Sequence, residues 1–214
     1  GMNFWTPQTG KNGNGWQYTY DAHKIRGFKQ THQPSPWIND YGQFSLMPVT
    51  GKPIADEEER ASWFSHKGEE SRPYYYKVYL AEWDVVTEIV PTDRAAMFRF
   101  TFPDADSYIV IDAFGGNAKV SIDKDNNTVT GYSTKNSGGV GENFRNYFVV
   151  KFDKPLSYTE ELEGKGVIGF KTRKGEVVHA KVASSFISEE QALINLKELG
   201  NETFDGLKRK AKAE

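Results

Sequence analysis

No cysteine occurs among the 214 residues, so there is no disulfide framework, no thiolate nucleophile and no cysteine-ligated zinc site. That absence leaves export open. An excess of charge of one sign is missing as well: 27 basic and 29 acidic residues give a formal net charge of −2, which speaks against an electrostatic nucleic-acid surface. No apolar run reaches the roughly 18 residues that span a bilayer. The opening GMNFWTPQTG has neither the basic start nor the apolar core of a signal peptide, so the expectation is a cytoplasmic chain or a fragment without its leader. Histidine is sparse: His23, His32, His66 and His179 are scattered, and no pair has the i, i+4 spacing of a helical metal site. Neither a G-x-S-x-G elbow nor a glycine-rich loop ending in Lys-Ser or Lys-Thr is found. The glycine pairs of FGGNAKVSI and NSGGVGENF lack the strand-to-helix setting of a dinucleotide fold and read as turns.

What the chain does have is aromatic side chains, 14% of its residues, and 20 glycines. From Trp16 to about Ser185 it alternates short runs rich in aromatic and β-branched residues with turn chemistry. YYYKVYLAEW, VVTEIVPT, AAMFRFTFP, SYIVIDAF, TVTGYST and NYFVVKF follow one another at about 8 to 12 residues, the spacing of an all-β sandwich. DKDNNTVTG, Asp123 to Gly131, alternates Asp123 and Asp125 as a calcium loop would. It lacks the glycine and the closing glutamate of that loop and sits between strands, so a hairpin turn is expected.

The last thirty residues change character. Ser188 followed by Gln191 makes a capping box, Ala192, Leu193, Leu196 and Leu199 fall on one face, and Gly200 is a natural C-cap, which predicts a helix over 189–199. Thr203 starts a second helix whose apolar face has barely begun when the sequence stops, and Lys208, Arg209 and Lys210 read as a solvated face. Residues 1–185 are therefore expected to form a sandwich and 186–214 a helical linker.

One loop is unusually loaded. KQTHQPSPWINDYGQF, Lys29 to Phe44, is too proline-rich for a helix and lacks strand alternation. Loops that carry aromatic and ionisable groups on a rigid scaffold are where binding usually resides.

The motifs within and after this loop resemble a known family. Gly27-Phe28, Thr31-His32, Asp40-Tyr41-Gly42 and Met47-Pro48, then Ser65-His66-Lys67, Tyr74-Tyr75, the Arg94 to Pro103 strand and the tail SFISEEQALINLKEL are similar, in order, to the amino-terminal domain of glycoside hydrolase family 92, calcium-dependent exo-acting α-mannosidases. The resemblance implies a large antiparallel, mutarotase-like β-sandwich. It places Gly1-Met2 at the end of a family segment reading Pro-Phe-Gly-Met, and it implies a following (α/α)6 domain that carries the general acid, the general base and the calcium ligands. By this resemblance the chain itself holds no catalytic residue and no metal. Its partners are mannose-containing glycans and its own C-terminal domain, and its setting is periplasmic or secreted.

The proline-rich loop then corresponds to the piece that contacts the leaving-group sugar. Trp37, presented by a backbone that Pro34 and Pro36 restrict just before it, is the expected stacking platform, with core or interface packing as the other reading. His32 and Asp40 are candidates for hydrogen bonds to sugar hydroxyls; an imidazole that orders the loop, and a turn or cap role for Asp40, stand beside those readings. Trp16, in NGNGWQYTY, is a second candidate platform, set against the common buried indole at a strand start. Many relatives carry a Ser-Gly-rich segment where this chain has QPSPWIN. A freestanding lectin-like sandwich is the alternative from another functional class.

Overall fold

A computed structural model describes residues 3–13, 18–32 and 40–213. Within them the chain builds two large sheets, and every strand pairing is antiparallel. The six-stranded sheet runs β1 (Phe4–Gln8), β3 (Gly27–Thr31), β4 (Ser45–Thr50), β10 (Ala105–Asp112), β15 (Lys165–Thr172) and β14 (Tyr158–Leu162). The eight-stranded sheet runs β11 (Lys119–Asp123), β12 (Thr128–Ser133), β13 (Asn146–Phe152), β16 (Glu176–Ser185), β9 (Ala95–Phe102), β8 (Val85–Pro91), β7 (Tyr75–Leu80) and β6 (Glu69–Arg72). A small ribbon pairs β2 (Lys24–Ile25) with β5 (Ser62–Trp63). The expected antiparallel sandwich is the architecture found.

Strand β9 shows how the sequence directs the layers. Its side chains alternate with period two. Ala96, Phe98, Phe100 and Phe102 enter the core between the sheets, while Ala95 and Met97 face outward into a second cluster with the C-terminal helices. Opposite, the six-stranded sheet supplies Phe28, Leu46, Val49, Ile109, Ile111 and Ile168 to the same core. Trp5 stands edge-on to both Phe44 and Phe98, at 5.6 and 4.9 Å. Burying each such ring contributes about 1.5–3 kcal/mol, so much of the aromatic content holds the layers together.

Pro7 and Pro48 sit in strand interiors, where the missing N–H must be tolerated. Pro7 lies in β1, an edge strand paired only with β3, where a missing N–H is tolerated. Pro48 lies in β4, which continues past it to Thr50. The β3 pairing covers only Ser45 and Leu46, so Pro48 has no ladder to interrupt on that side. Gly131 within β12 has a steric cause: a Cβ there would stand 2.1 Å from the Lys119 carbonyl oxygen and 2.7 Å from the Phe148 ring. The Asp123 segment is the expected hairpin, with Asp123 accepting from the Asn126 backbone N–H at 3.1 Å and from its side-chain amide at 2.7 Å.

Helix α1 (Glu189–Leu196) begins at the expected cap, where Ser188 Oγ accepts from the Gln191 N–H at 3.1 Å. The Gln191 amide does not reach back to Ser188; it donates to Asn195 Oδ1 at 3.0 Å, so half of the box is made. A tighter 3-10 turn over Lys197–Leu199 follows. Ala192 and Leu199 are buried as expected, but Leu193 is 42% exposed. Helix α2 (Phe204–Ala213) is capped by Thr203 Oγ1, which accepts from the Gly206 N–H at 3.1 Å.

The second helix departs from expectation. Phe204 and Leu207 are buried against Tyr75, Val90, Ala95 and Met97 on the outer face of the eight-stranded sheet. Arg99 lies over the Phe204 ring at 4.2 Å, pairs with Asp205 at 2.9 Å and grips Glu88 with two nitrogens at 2.6 and 2.8 Å. Lys208 stands 3.2 Å from the Tyr75 ring centroid instead of lying free in solvent, a cation–π contact. The helix therefore has a docking surface on the sandwich itself.

Candidate functional site

The loaded loop is closed at its base by one carboxylate. The chain leaves β3 at Thr31 and returns at Asp40. Asp40 is 2% exposed. Its Oδ1 accepts the backbone N–H groups of His32 and Tyr41, each at 2.8 Å, and its Oδ2 lies 3.5 Å from Lys29 Nζ. Lys29 is also buried and donates to the Gly13 carbonyl at 3.1 Å. Burial pushes the Lys29 ammonium pKa down, against the opposing pull of Asp40. Such a desolvated pair holds only while both partners are present.

The two residues after Asp40 explain the rest of the Asp-Tyr-Gly motif. Tyr41 donates its hydroxyl to the Gly138 carbonyl at 3.2 Å. Gly42 donates its N–H to the Lys135 carbonyl, and its own carbonyl accepts from Asn146 Nδ2, both at 2.6 Å. It has φ +64°, and a Cβ would stand 2.5 Å from Asn146 Cβ, so glycine is required for the backbone angle and for the close approach. Ser137 Oγ donates to the Asp40 carbonyl at 3.3 Å, and the segment around 135–138 thereby buttresses the loop base.

His32 occupies the rim. Its Nδ1 is 2.9 Å from the Tyr41 carbonyl, and because a carbonyl only accepts, Nδ1 carries the proton. Burial lowers the imidazole pKa, against the Tyr41 carbonyl and the Asp40 charge. Burial thus favours the neutral ring, and with Nδ1 protonated that form carries its lone pair on Nε2.

Beside His32 lies a cleft of about 410 Å³, between the C-terminal end of β3 and α1, with Asn3, Gln30, Arg94, Phe186 and Gln191 among its walls. Gln30 organises it: its amide donates to Asn3 Oδ1 at 2.8 Å, and its carbonyl accepts from Ser184 Oγ at 2.8 Å and Asn146 Nδ2 at 3.3 Å. Asn195 Nδ2 donates to the Ser184 carbonyl at 2.8 Å. Amides, hydroxyls, a guanidinium and an imidazole beside an aromatic ring form a lining suited to a polyhydroxylated ligand.

Of the four sequence candidates, the structure brings His32 and Asp40 together and leaves the Asp40 carboxylate committed to the loop base. Trp16 and Trp37 lie outside the described residues. Sequence reasoning missed Asn3, Gln30, Ser184 and Asn195, because neutral residues joined by hydrogen bonds that span up to 154 positions carry no local signal; Gln191 was visible only as a cap. The remaining histidines are engaged elsewhere: His66 with Glu69 and the Tyr20 carbonyl, His179 with Asp153, and His23 stacked on Trp63. Among the described residues no three His, Cys, Asp or Glu side chains converge as a metal site, and no helix is long and apolar enough to cross a membrane.

Residues 1–197 match the family model of the glycosyl hydrolase family 92 N-terminal domain. All of the chain superposes on the solved structure of a family GH92 inverting mannosidase from Bacteroides thetaiotaomicron, with 40% identity and a TM-score of 0.93, covering 31% of that protein. A second GH92 α-mannosidase of the same organism gives 27% identity and a TM-score of 0.85 over the whole chain and 34% of its own length. The gh92 family glycosyl hydrolase ccman5, at 19% identity and a TM-score of 0.76, shares the fold. Comparison with curated proteins gives no match. The chain thus spans about a third of the solved relatives. Its motifs, its architecture and a match across nearly its whole length place it in glycosyl hydrolase family 92, as an N-terminal domain.

Proposed function

We propose that this domain closes the substrate pocket of an inverting exo-α-mannosidase and meets the leaving-group sugar through the loop that Asp40 clasps. The observation that carries the reading is the 40% identical, fully superposable relative, an inverting mannosidase. In inverting hydrolysis an acid protonates the leaving oxygen while a base activates water on the opposite face of the sugar. Both groups belong, on this reading, to an (α/α)6 domain beyond this chain. Here the work is binding and orientation: Trp37 stacks on a pyranose, with Trp16 as a second platform, and the His32 lone pair accepts from a hydroxyl. Asp40 serves that site by holding its base. The calcium that the family resemblance implies finds no ligand set among the described residues, and no step in this chain passes through it. The same reading gives mannose-containing glycans as ligands and a periplasmic or secreted setting.

One observation favours a freestanding lectin-like sandwich instead: α2 buries Phe204 and Leu207 on the sandwich's own outer face, so it needs no further domain to cover them. The two readings separate in one experiment. The chain alone, given an aryl α-mannoside or α-mannobiose with calcium, is expected to show no turnover above buffer, whereas the full-length protein hydrolyses both. Chelator-sensitive turnover by the chain alone would contradict the assignment of catalysis elsewhere. Saturable mannoside binding by the chain, with a full-length protein that is inert, would support the lectin.

A further inference from the structure

We infer, resting on the mannosidase reading for its effect on rate, that Phe186 is a positioning residue: its ring sets the stance of His32 at the cleft and ties it to the segment by which the chain leaves the sandwich. Phe186 is the first residue after β16. Its ring is edge-on to His32 at 4.7 Å and packs against Phe144 at 5.7 Å, and Phe144 in turn stands edge-on to Tyr41 at 6.3 Å. A Cβ at Gly42 would come within 3.0 Å of the same ring. Phe186 therefore meets the chain on both sides of 33–39, at His32 before it and at Gly42 after it.

Core packing does not account for this placement, since the ring is 40% exposed and lines the cleft with His32. Its neighbours are held independently: Ile187 N–H donates to Ser185 Oγ at 3.0 Å, and Asn195 donates to the Ser184 carbonyl. His32 is thus fixed along one direction by its bond to Tyr41 and laterally by Phe186. The two together hold the imidazole in one stance at the cleft, and a fixed stance matters to a rate because small misplacements are costly.

Removing the ring should admit water to the imidazole. Burial is the main cause that lowers the His32 pKa, so the midpoint should rise toward the ordinary histidine value. The charged groups facing His32 are Asp40 on the loop base and Arg94 on the opposite cleft wall; α1 presents the neutral Gln191 and Asn195. Phe186→Ala leaves all of these in place.

The test uses full-length protein with labelled histidine, His32 being assigned by its loss in His32→Gln. Phe186→Ala is expected to raise the His32 midpoint and to lower kcat/KM on α-mannobiose roughly tenfold, with a change of about twofold at most on an aryl α-mannoside with an activated leaving group. Phe186→Tyr, which keeps the ring, is expected to restore both. An unmoved His32 midpoint, or equal losses on the two substrates, would overturn the inference. A wild-type protein inert toward every α-mannoside would instead strike the mannosidase reading, and the titration would still decide whether Phe186 positions His32.

Discussion

Asp40→Ala is expected to lower folding stability by about 3–5 kcal/mol, because it removes the counter-charge of the buried Lys29 while two backbone N–H groups lose their acceptor. For a domain of this size that is a fall in Tm on the order of 10 °C. Thermal or urea unfolding measures it. Asp40→Asn keeps an oxygen for the N–H groups of His32 and Tyr41 but removes the charge opposite Lys29, so most of the loss should persist. Adding Lys29→Met to that variant should recover part of it, since the stranded ammonium is then gone. A role in sugar contact alone would give the reverse pattern, with unchanged unfolding and reduced kcat/KM.

The second large effect concerns Trp37. In the full-length protein, Trp37→Ala is expected to lower kcat/KM on natural mannosides by roughly 5- to 150-fold, which corresponds to about 1–3 kcal/mol for a lost aromatic stack. A substrate with a small activated leaving group should be nearly unaffected, because an indole beyond the scissile bond acts only when a second sugar is there to meet it. Burial in the core would give another signature: a stability loss of about 3–5 kcal/mol and equal depression of both substrates. Measuring Tm and both rate constants separates the cases.

The layers were legible because a strand's two faces are written into its neighbours: AAMFRFTFP alternates large and outward residues, and β9 obeys it. The first cap was legible because Ser188 and the N–H it accepts are three residues apart. The docking of α2 was not, since Arg99 and Tyr75, which receive it, are more than a hundred residues upstream and look like ordinary strand residues. Leu193 misled because it is the immediate neighbour of Ala192, about 100° round the helix, so the face that buries Ala192 and Leu199 leaves it 42% exposed. The site was half legible. The Asp-Tyr-Gly motif marked the loop, yet its partner Lys29 sits in β3, every residue of which is buried, so no alternation singles out the ammonium. The amide network of the cleft had no local pattern to read.

The central claim is that this domain serves an inverting α-mannosidase and does no chemistry alone. The most direct test is proton NMR of the mannose first released from an α-mannoside by the full-length protein, beside the chain alone. The account predicts β-mannose as the first anomer, mutarotating afterwards, and no release by the chain. α-Mannose appearing first, or release by the chain alone, would contradict it.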